Sequence, residues 1–500
     1  MSTVMASLRE PMRLLRTVEG PRVPAADARA QFAVFSFVLA LAILFHQSRL
    51  GDWEVLSPQM AVSLAAIFVL LRPSSAPRFF AMLAIQLVSL LIDMPNVVNH
   101  WLLLGLTTVG LAGGLVLAAV RRRNWLSDSG EIYRRVAPVV RIQVVLVYLF
   151  AVLAKLNTDF LDPALSCGAA MSGDLLASGP VSLYGAWQDV PAIAGTLLIE
   201  ALLPIGLLIR RTRVAAVLAG GTFHTVLAVA GHVSFSGFAF AFYALFLPDD
   251  LPRRLRSVLD ATPALGSAAS RLSAFAGSRL AFPLLAGAWI GLAIAISYGP
   301  DLVYNGVARL AVVVFVAYAI ALGAVLALCL LRGGPGAYAP GALRLVHPVW
   351  AIAPLLVVLN AATPYLGLKT QSAFTMYSNL QTEAGRWNHV LVPESVRIFD
   401  LQDDTVEVVK SSDQRLAEAA GEDTELIEHD FRTYVSQHPE LSVSYRHEGE
   451  LVTVPRAGRD PAASDGPGLV ARKLLLFRDV PVAARNTCRD GRQGGPAQGS

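Results

Sequence analysis

The sequence predicts an all-α polytopic membrane bundle carrying a small C-terminal extracytoplasmic α+β domain, and three observations predict it. Only 16% of the 500 residues are charged and 54% are hydrophobic, whereas soluble domains carry about 25% charged residues. Apolar runs such as 31–45, 102–120 and 310–331 approach or exceed the ~20 residues that cross a bilayer core. That character stops near residue 370, where short stretches begin to alternate polar and apolar residues as strands do.

Residues 1–29 form a polar arm with Arg9, Arg13, Arg16 and Arg22, and lack the apolar core of a cleavable signal. Hydropathy then places eleven candidate spans, near 31–48, 58–72, 79–94, 98–120, 136–157, 191–209, 213–231, 234–248, 280–298, 308–332 and 348–366. The stretch GHVSFSG, 231–237, reads as a possible break. Arginine clusters at Arg72 and Arg78, Arg121–Arg123, Arg210 and Arg211, and Arg253 and Arg254 alternate with loops at 93–99, 158–190, 231–234 and 299–306 that hold no Lys or Arg. Positive charge stays in the cytoplasm, so the arm is expected there. An odd number of crossings puts the C-terminal domain outside a multi-pass protein of the cell membrane. The expected organisation is a first transmembrane unit over 30–250, further helices over 251–368, an α+β domain over 369–480 and a disordered tail over 481–500.

Within the C-terminal domain, SVRIFDL (395–401), TVEVV (405–409), LSVSYRH (441–447) and ELVTVP (450–455) read as strands. DTELIEHDFRTYVSQHP, 423–439, reads as a helix capped at Asp423 and stopped by Pro439. The formal charge of +4 comes from topology-setting arginines, so the expected partner is the lipid bilayer and not nucleic acid. No zinc spacing, P-loop or dinucleotide fingerprint occurs, and no metal is expected. Of three cysteines, Cys329 reads as a small core residue. Cys167 and Cys488 fall on one side, which leaves a disulfide between them open.

Lys155, in VYLFAVLAKLNTDFL, is the residue that needs explaining. Only four of the 41 basic residues are lysines, and it is the only one before Lys369. One reading is a lysine that snorkels to the headgroups. The other is chemical, because a desolvated lysine can release its proton and act as a base, whereas arginine cannot. His46, His100, His224 and His232 fall at the same expected level, as for a lined polar site. Glu200 is expected nearer mid-membrane, with Pro204 kinking its helix. It is either a partner of an arginine such as Arg141 or a catalytic group. Gly110 and Gly114 form a GxxxG that permits close helix packing. Residues 363–390 are either an ordered cover over the site or a linker.

These residues carry a resemblance. RIQVVLVYLFAVLAKLNTDFLDPAL, 141–165, resembles the signature segment of the HTTM superfamily, the membrane domain shared with vitamin K-dependent gamma-carboxylase, through Arg141, Gln143, Tyr148, the Lys155-Leu156 pair, Asp159 and Phe160. Asn99-His100-Trp101, the Glu200 helix and Phe223-His224 follow the family's order over about residues 30–250. Phe160 stands where the family usually has Trp. Ala154 stands where the carboxylase has a second lysine, and the large extracytoplasmic region is reduced to about 100 residues of unrelated sequence.

The resemblance implies a bacterial, carboxylase-like lyase. In it, Lys155 deprotonates a reduced naphthoquinone (menaquinone or vitamin K-like), with oxygen and carbon dioxide as co-reactants. His100 and His224 would be catalytic. Asn99, Arg141, Gln143, Tyr148, Asp159, Glu200 and His232 would support them. The alternative is a non-enzymatic membrane factor for maturation or export of a secreted peptide or protein.

Overall fold

Helices that are apolar on every side gather into a bundle whose outer surface is itself hydrophobic. The computed structural model is such a bundle. It describes residues 25–48, 57–120, 128–177, 186–333, 337–338, 343–383, 385–421, 424–460, 464–481 and Cys488.

The chain runs through α1 (Ala25–Gln47), the short α2 (Pro58–Leu70), α3 (Ala76–Asp93), α4 (Asn99–Val120) and α5 (Ser129–Lys155). It continues with α6 (Cys167–Ala177), α7 (Asp189–Leu208), α8 (Arg213–Leu227) and α9 (Val233–Ala244). Two polar connecting helices follow, α10 (Leu251–Asp260) and α11 (Pro263–Gly277), before α12 (Ala281–Tyr298), α13 (Asp301–Gly333) and α14 (Ile352–Ala362). Among the described residues, eight apolar stretches are long enough to cross a membrane, with α2 and the Pro348–Ala362 stretch apolar but shorter. These positions match the candidate spans. The centre of the bundle is α1, with Phe32 and Phe35 packed against Phe79 of α3. Peripheral α12 and α13 expose Leu284, Leu310, Val313 and Ile320, as lipid-facing helices do.

The Arg213–Ala244 stretch is a single apolar run but two helices. Gly231 takes φ 99°, a left-handed conformation inside GHVSFSG that glycine adopts without a steric penalty. Gly220 lies against Tyr243 and Gly221 against Phe240, so α8 and α9 run antiparallel. The break is a full reversal.

Gly110 and Gly114 of α4 face the last apolar stretch: a Cβ at Gly110 would sit 2.5 Å from that of Ala353, and one at Gly114 2.3 Å from the Trp350 ring. Their spacing serves packing inside the chain.

A small antiparallel sheet with its own helices makes up the C-terminal unit. Residues 363–390 fold onto the end of the bundle, and the sheet starts only at β1 (Thr405–Ser411). After α15 (Gln414–Gly421) come β2 (Thr424–Ile427), α16 (Glu428–Gln437), β3 (Val443–His447), β4 (Glu450–Val454), the single turn and a half of α17 (Leu469–Leu474) and β5 (Val480–Pro481). The strand order is β4-β3-β1-β2-β5, each pair antiparallel. Val406, Val408, Leu416, Leu426, Phe431 and Val435 form its own core.

Two expectations are corrected. SVRIFDL is not a strand, because the amides of Ile398 and Phe399 both donate to Leu366 O beyond α14 and, among the described residues, no strand pairs along it. The expected helix over 423–439 divides into β2 and α16, since Thr424 and Glu425 are held by β1 and β5. Asp423 lies outside the described residues, as do residues 1–24 of the arm and the tail beyond Pro481 apart from Cys488. Cys488 is bonded to Cys167.

Packing at α4 makes a prediction. Gly114→Ala, which drives a methyl into Trp350, should cost about 1–3 kcal/mol as overpacking does. Gly113→Ala, whose methyl would meet Ile352 at an ordinary 3.4 Å, should be tolerated. Both gain the same helix propensity, so the difference in thermal midpoint in nanodiscs isolates the clash.

Candidate functional site

α5 starts at Asp128, whose carboxylate accepts from Gly130 N at 3.0 Å, and continues through Pro138 to Lys155. Asn157 ends it. Its Oδ1 accepts from Phe160 N at 2.8 Å, capping the next turn, while its Nδ2 donates to Ala154 O and to Ser378 O. Arg141, Tyr148 and Lys155 recur every seven residues and therefore share a face. At 1.5 Å per residue, Arg141 lies about 21 Å along the axis from Lys155.

Lys155 does not snorkel. Its side chain is 4% exposed, and Nζ sits 2.9 Å from Oε2 and 3.2 Å from Oε1 of Glu200 on α7. It donates also to Met376 O at 3.2 Å, and the Phe160 ring lies 5.8 Å away. Glu200 is eleven residues, or about 16 Å, from the first residue of α7, so the ion pair lies inside the span. Pro204 has no N–H to give to Glu200 O, yet α7 continues through it. An uncompensated charge here would cost several kcal/mol. Pairing Lys155 with Glu200 settles Glu200's partner in favour of the lysine over Arg141.

Beside the pair, Tyr148 OH bonds His224 Nε2 at 2.8 Å and also contacts Tyr243 OH. Glu200 is close enough to act electrostatically on both tyrosines. His224 is fully buried, and among the described residues its Nδ1 has no hydrogen-bond partner. On the other side of Phe235, which contacts both His224 and His100, His100 Nε2 lies 3.1 Å from His46 Nδ1, and His46 stacks on Trp101. His232, at the reversal between α8 and α9, meets Tyr377 OH through Nδ1 at 3.2 Å. The expected histidines thus gather at one end of the bundle.

Residues 363–390 are a cover and not a linker. Asn99 Oδ1 accepts from Phe374 N at 2.8 Å, and Ser372 Oγ donates to Val97 O. Asn379 accepts from Cys167 N at 2.8 Å and donates to Leu165 O at 3.0 Å. His389 Nε2 bonds Leu153 O at 2.8 Å, and Val390 N donates to Leu156 O. Ser372, Phe374, Tyr377 and Asn379 all take φ between 48° and 59°. Only the asparagine adopts that region readily. Each other one costs on the order of 1–3 kcal/mol and persists because its surroundings over-determine it.

Three expected supporting residues lie elsewhere. Arg141 donates to Leu245 O at 2.8 Å near the opposite end of the bundle. Gln143 accepts from Thr107 Oγ1 at 2.9 Å and joins α4 to α5. Asp159 is bonded by the neighbouring Thr158 hydroxyl at 3.1 Å, in an exposed pair. Sequence reasoning did not single out Tyr243, Asn157, Met376, Tyr377 or Asn379. The AFYALF run offered the tyrosine, but the others act through loop geometry that no periodicity records.

Among the described residues, Asp404, Glu428 and His447 stand close enough to hold a metal ion. His447 is already paired with Asp404 at 2.5 Å, which accounts for their approach. No protein-family model matches the chain, and no curated protein or solved structure matches it either.

Two expected outcomes follow from this geometry. Lys155→Met or Glu200→Leu alone should cost about 3–5 kcal/mol, and the double variant should recover most of it, because each single change strands a buried charge; thermal unfolding of the four proteins in nanodiscs measures this. In the sheet domain, the Asp404 hydrogen bond pushes His447 above its ordinary 6.5. Its stabilisation is therefore complete below about pH 6.5 and lost as pH rises through the raised folded-state value. Hydrogen exchange of β1 and β3 should accelerate on that rise beyond its intrinsic pH dependence, and less so in His447→Gln.

Proposed function

We propose that the chain is a bacterial HTTM-type membrane enzyme, a quinol-dependent oxygenase or carboxylase, with Lys155 as the proton-accepting group. The observation that carries this reading is the enclosed Lys155–Glu200 pair, set beside a buried histidine with an unused ring nitrogen. A cation wanted only for topology has no need of a carboxylate partner within the span or of a strained cover above it.

The donor set suits a reduced naphthoquinone. Trp101, Phe235 and Phe238 set apolar rings against the histidines, and among the described residues His224 Nδ1 has no hydrogen-bond partner. When bound, the quinol would supply an ionisable ring hydroxyl and the reducing power for reaction with oxygen. Glu200 holds the Lys155 nitrogen at a fixed place. Met376 O points the same nitrogen away from water. His100 and His224 orient a polar ring substituent, with Tyr148 and Tyr243 fixing the His224 ring. The cover keeps water from the pair, which lets a weak base act. Arg141, Gln143 and Asp159 have no part in this arrangement and serve packing and topology.

The test is oxygen uptake and epoxide formation by the protein in nanodiscs given reduced menaquinone. Lys155→Ala and Lys155→Arg should each lower the rate by about 100-fold or more, the usual contribution of a general base, while both still insert and fold. Full activity in Lys155→Arg would reduce the lysine to a charge. If no turnover occurs and Lys155 variants still support secretion of a partner peptide, the maturation or export reading takes its place.

A further inference from the structure

We infer that the C-terminal unit is seated in the lipid interface through two apolar patches, on 390–399 and on α17, and does not stand clear of the membrane. The first patch is the stretch that reads as a strand and is not one. Leu391 is 64% exposed and Ile398 69%, with Phe399 beside them. These residues are held at the ends of spans: Val390 N donates to Leu156 O just past α5, and Ile398 N and Phe399 N donate to Leu366 O just past α14. The second patch is α17, where Leu469, Val470 and Leu474 are exposed, Val470 at 71%. It is held at the end of a third span, because Lys473 Nζ donates to Ile92 O at 2.9 Å and to Met94 O at 3.0 Å at the close of α3.

Soluble surfaces scatter exposed apolar residues singly, and contiguous patches mark a partner. Continuity selects lipid as the occupant. The exposed Leu355 and Leu359 of α14 lie on the span whose end, at Leu366, holds the first patch. Trp187, 73% exposed at the start of α7, lies at the same end, where interfacial aromatics anchor. Arg472 and Lys473 flank the exposed leucines of α17, the combination that suits an interfacial helix. The sheet order supports this placement. β5 adjoins the cover, through Arg386 to Pro481 O, while β4 is the edge farthest from β5 in the sheet.

The experiment labels single cysteines in a Cys329→Ala background, with the Cys167–Cys488 bond intact, at Leu391→Cys, Ile398→Cys, Val470→Cys and, as control, Glu450→Cys on β4. An environment-sensitive fluorophore is read in nanodiscs of phosphatidylcholine and phosphatidylglycerol, with a nitroxide placed shallow on the acyl chain. Seating in the interface predicts that lipid nitroxide removes about half or more of the emission at 391, 398 and 470 and little at 450, while aqueous iodide quenches only 450 strongly. Iodide quenching at all four positions overturns the inference in favour of a free-standing domain. Shielding of 391, 398 and 470 from both quenchers overturns it in favour of a second protein surface. These sites are exposed, so the labels leave the core packing intact; near-UV circular dichroism confirms it.

Discussion

A charge that cannot reach water must have its counter-charge carried to it, and much of this architecture meets that one requirement. Lys155 ends α5 inside the bundle, Glu200 arrives from α7, and Met376 O from the chain's last third completes the shell. None of these can be moved alone. The helix must stop where it does, so Asn157 turns the chain and caps the short turn that begins at Thr158. The space beyond the helix ends must be filled by polypeptide, so residues 363–390 fold over it with a backbone that only dense anchoring can hold.

The histidine and tyrosine layer is built on the same frame. Tyr148 is two turns before Lys155 on the same face, and it fixes His224, whose helix reverses at Gly231 and returns Tyr243 to the same spot. Phe235 then joins this group to the His46–His100 pair. Five helices thus supply one contiguous polar and aromatic region inside an apolar bundle. Arg141 lies on the same stripe of α5 but two further turns away, where it ties off the carbonyl of Leu245. One seven-residue repeat places Arg141 at the middle of α5 and Lys155 at its end, about 21 Å apart along the axis.

The bundle was legible in the sequence because helical spans must be long and apolar, and both properties are local. The Gly231 reversal was visible as a weakness in GHVSFSG, since only glycine enters that conformation freely. Lys155 and its histidines were legible as ionisable groups out of place. The partner of Glu200 was not, because Arg141 and Lys155 are equally good cations and the choice rests on depth. The strand at Thr424–Ile427 was hidden by a helical pattern that began only at Glu428. SVRIFDL failed for the converse reason: alternation describes any chain with one wet and one greasy side, including a segment bonded to the end of a helix.

The cover also has consequences for how the protein is made. Met376 lies 221 residues after Lys155, and Cys488 lies 321 residues after Cys167. During synthesis α5 and α7 enter the membrane long before the cover exists, so the lysine and glutamate must find one another first. Until residues 363–390 emerge from the ribosome, the pair is roofed by nothing of its own chain. A nascent chain in that interval exposes a polar site to lipid and water, and is the form a membrane quality-control protease or insertion chaperone would meet. Synthesis of the cover is thus the step that closes the site.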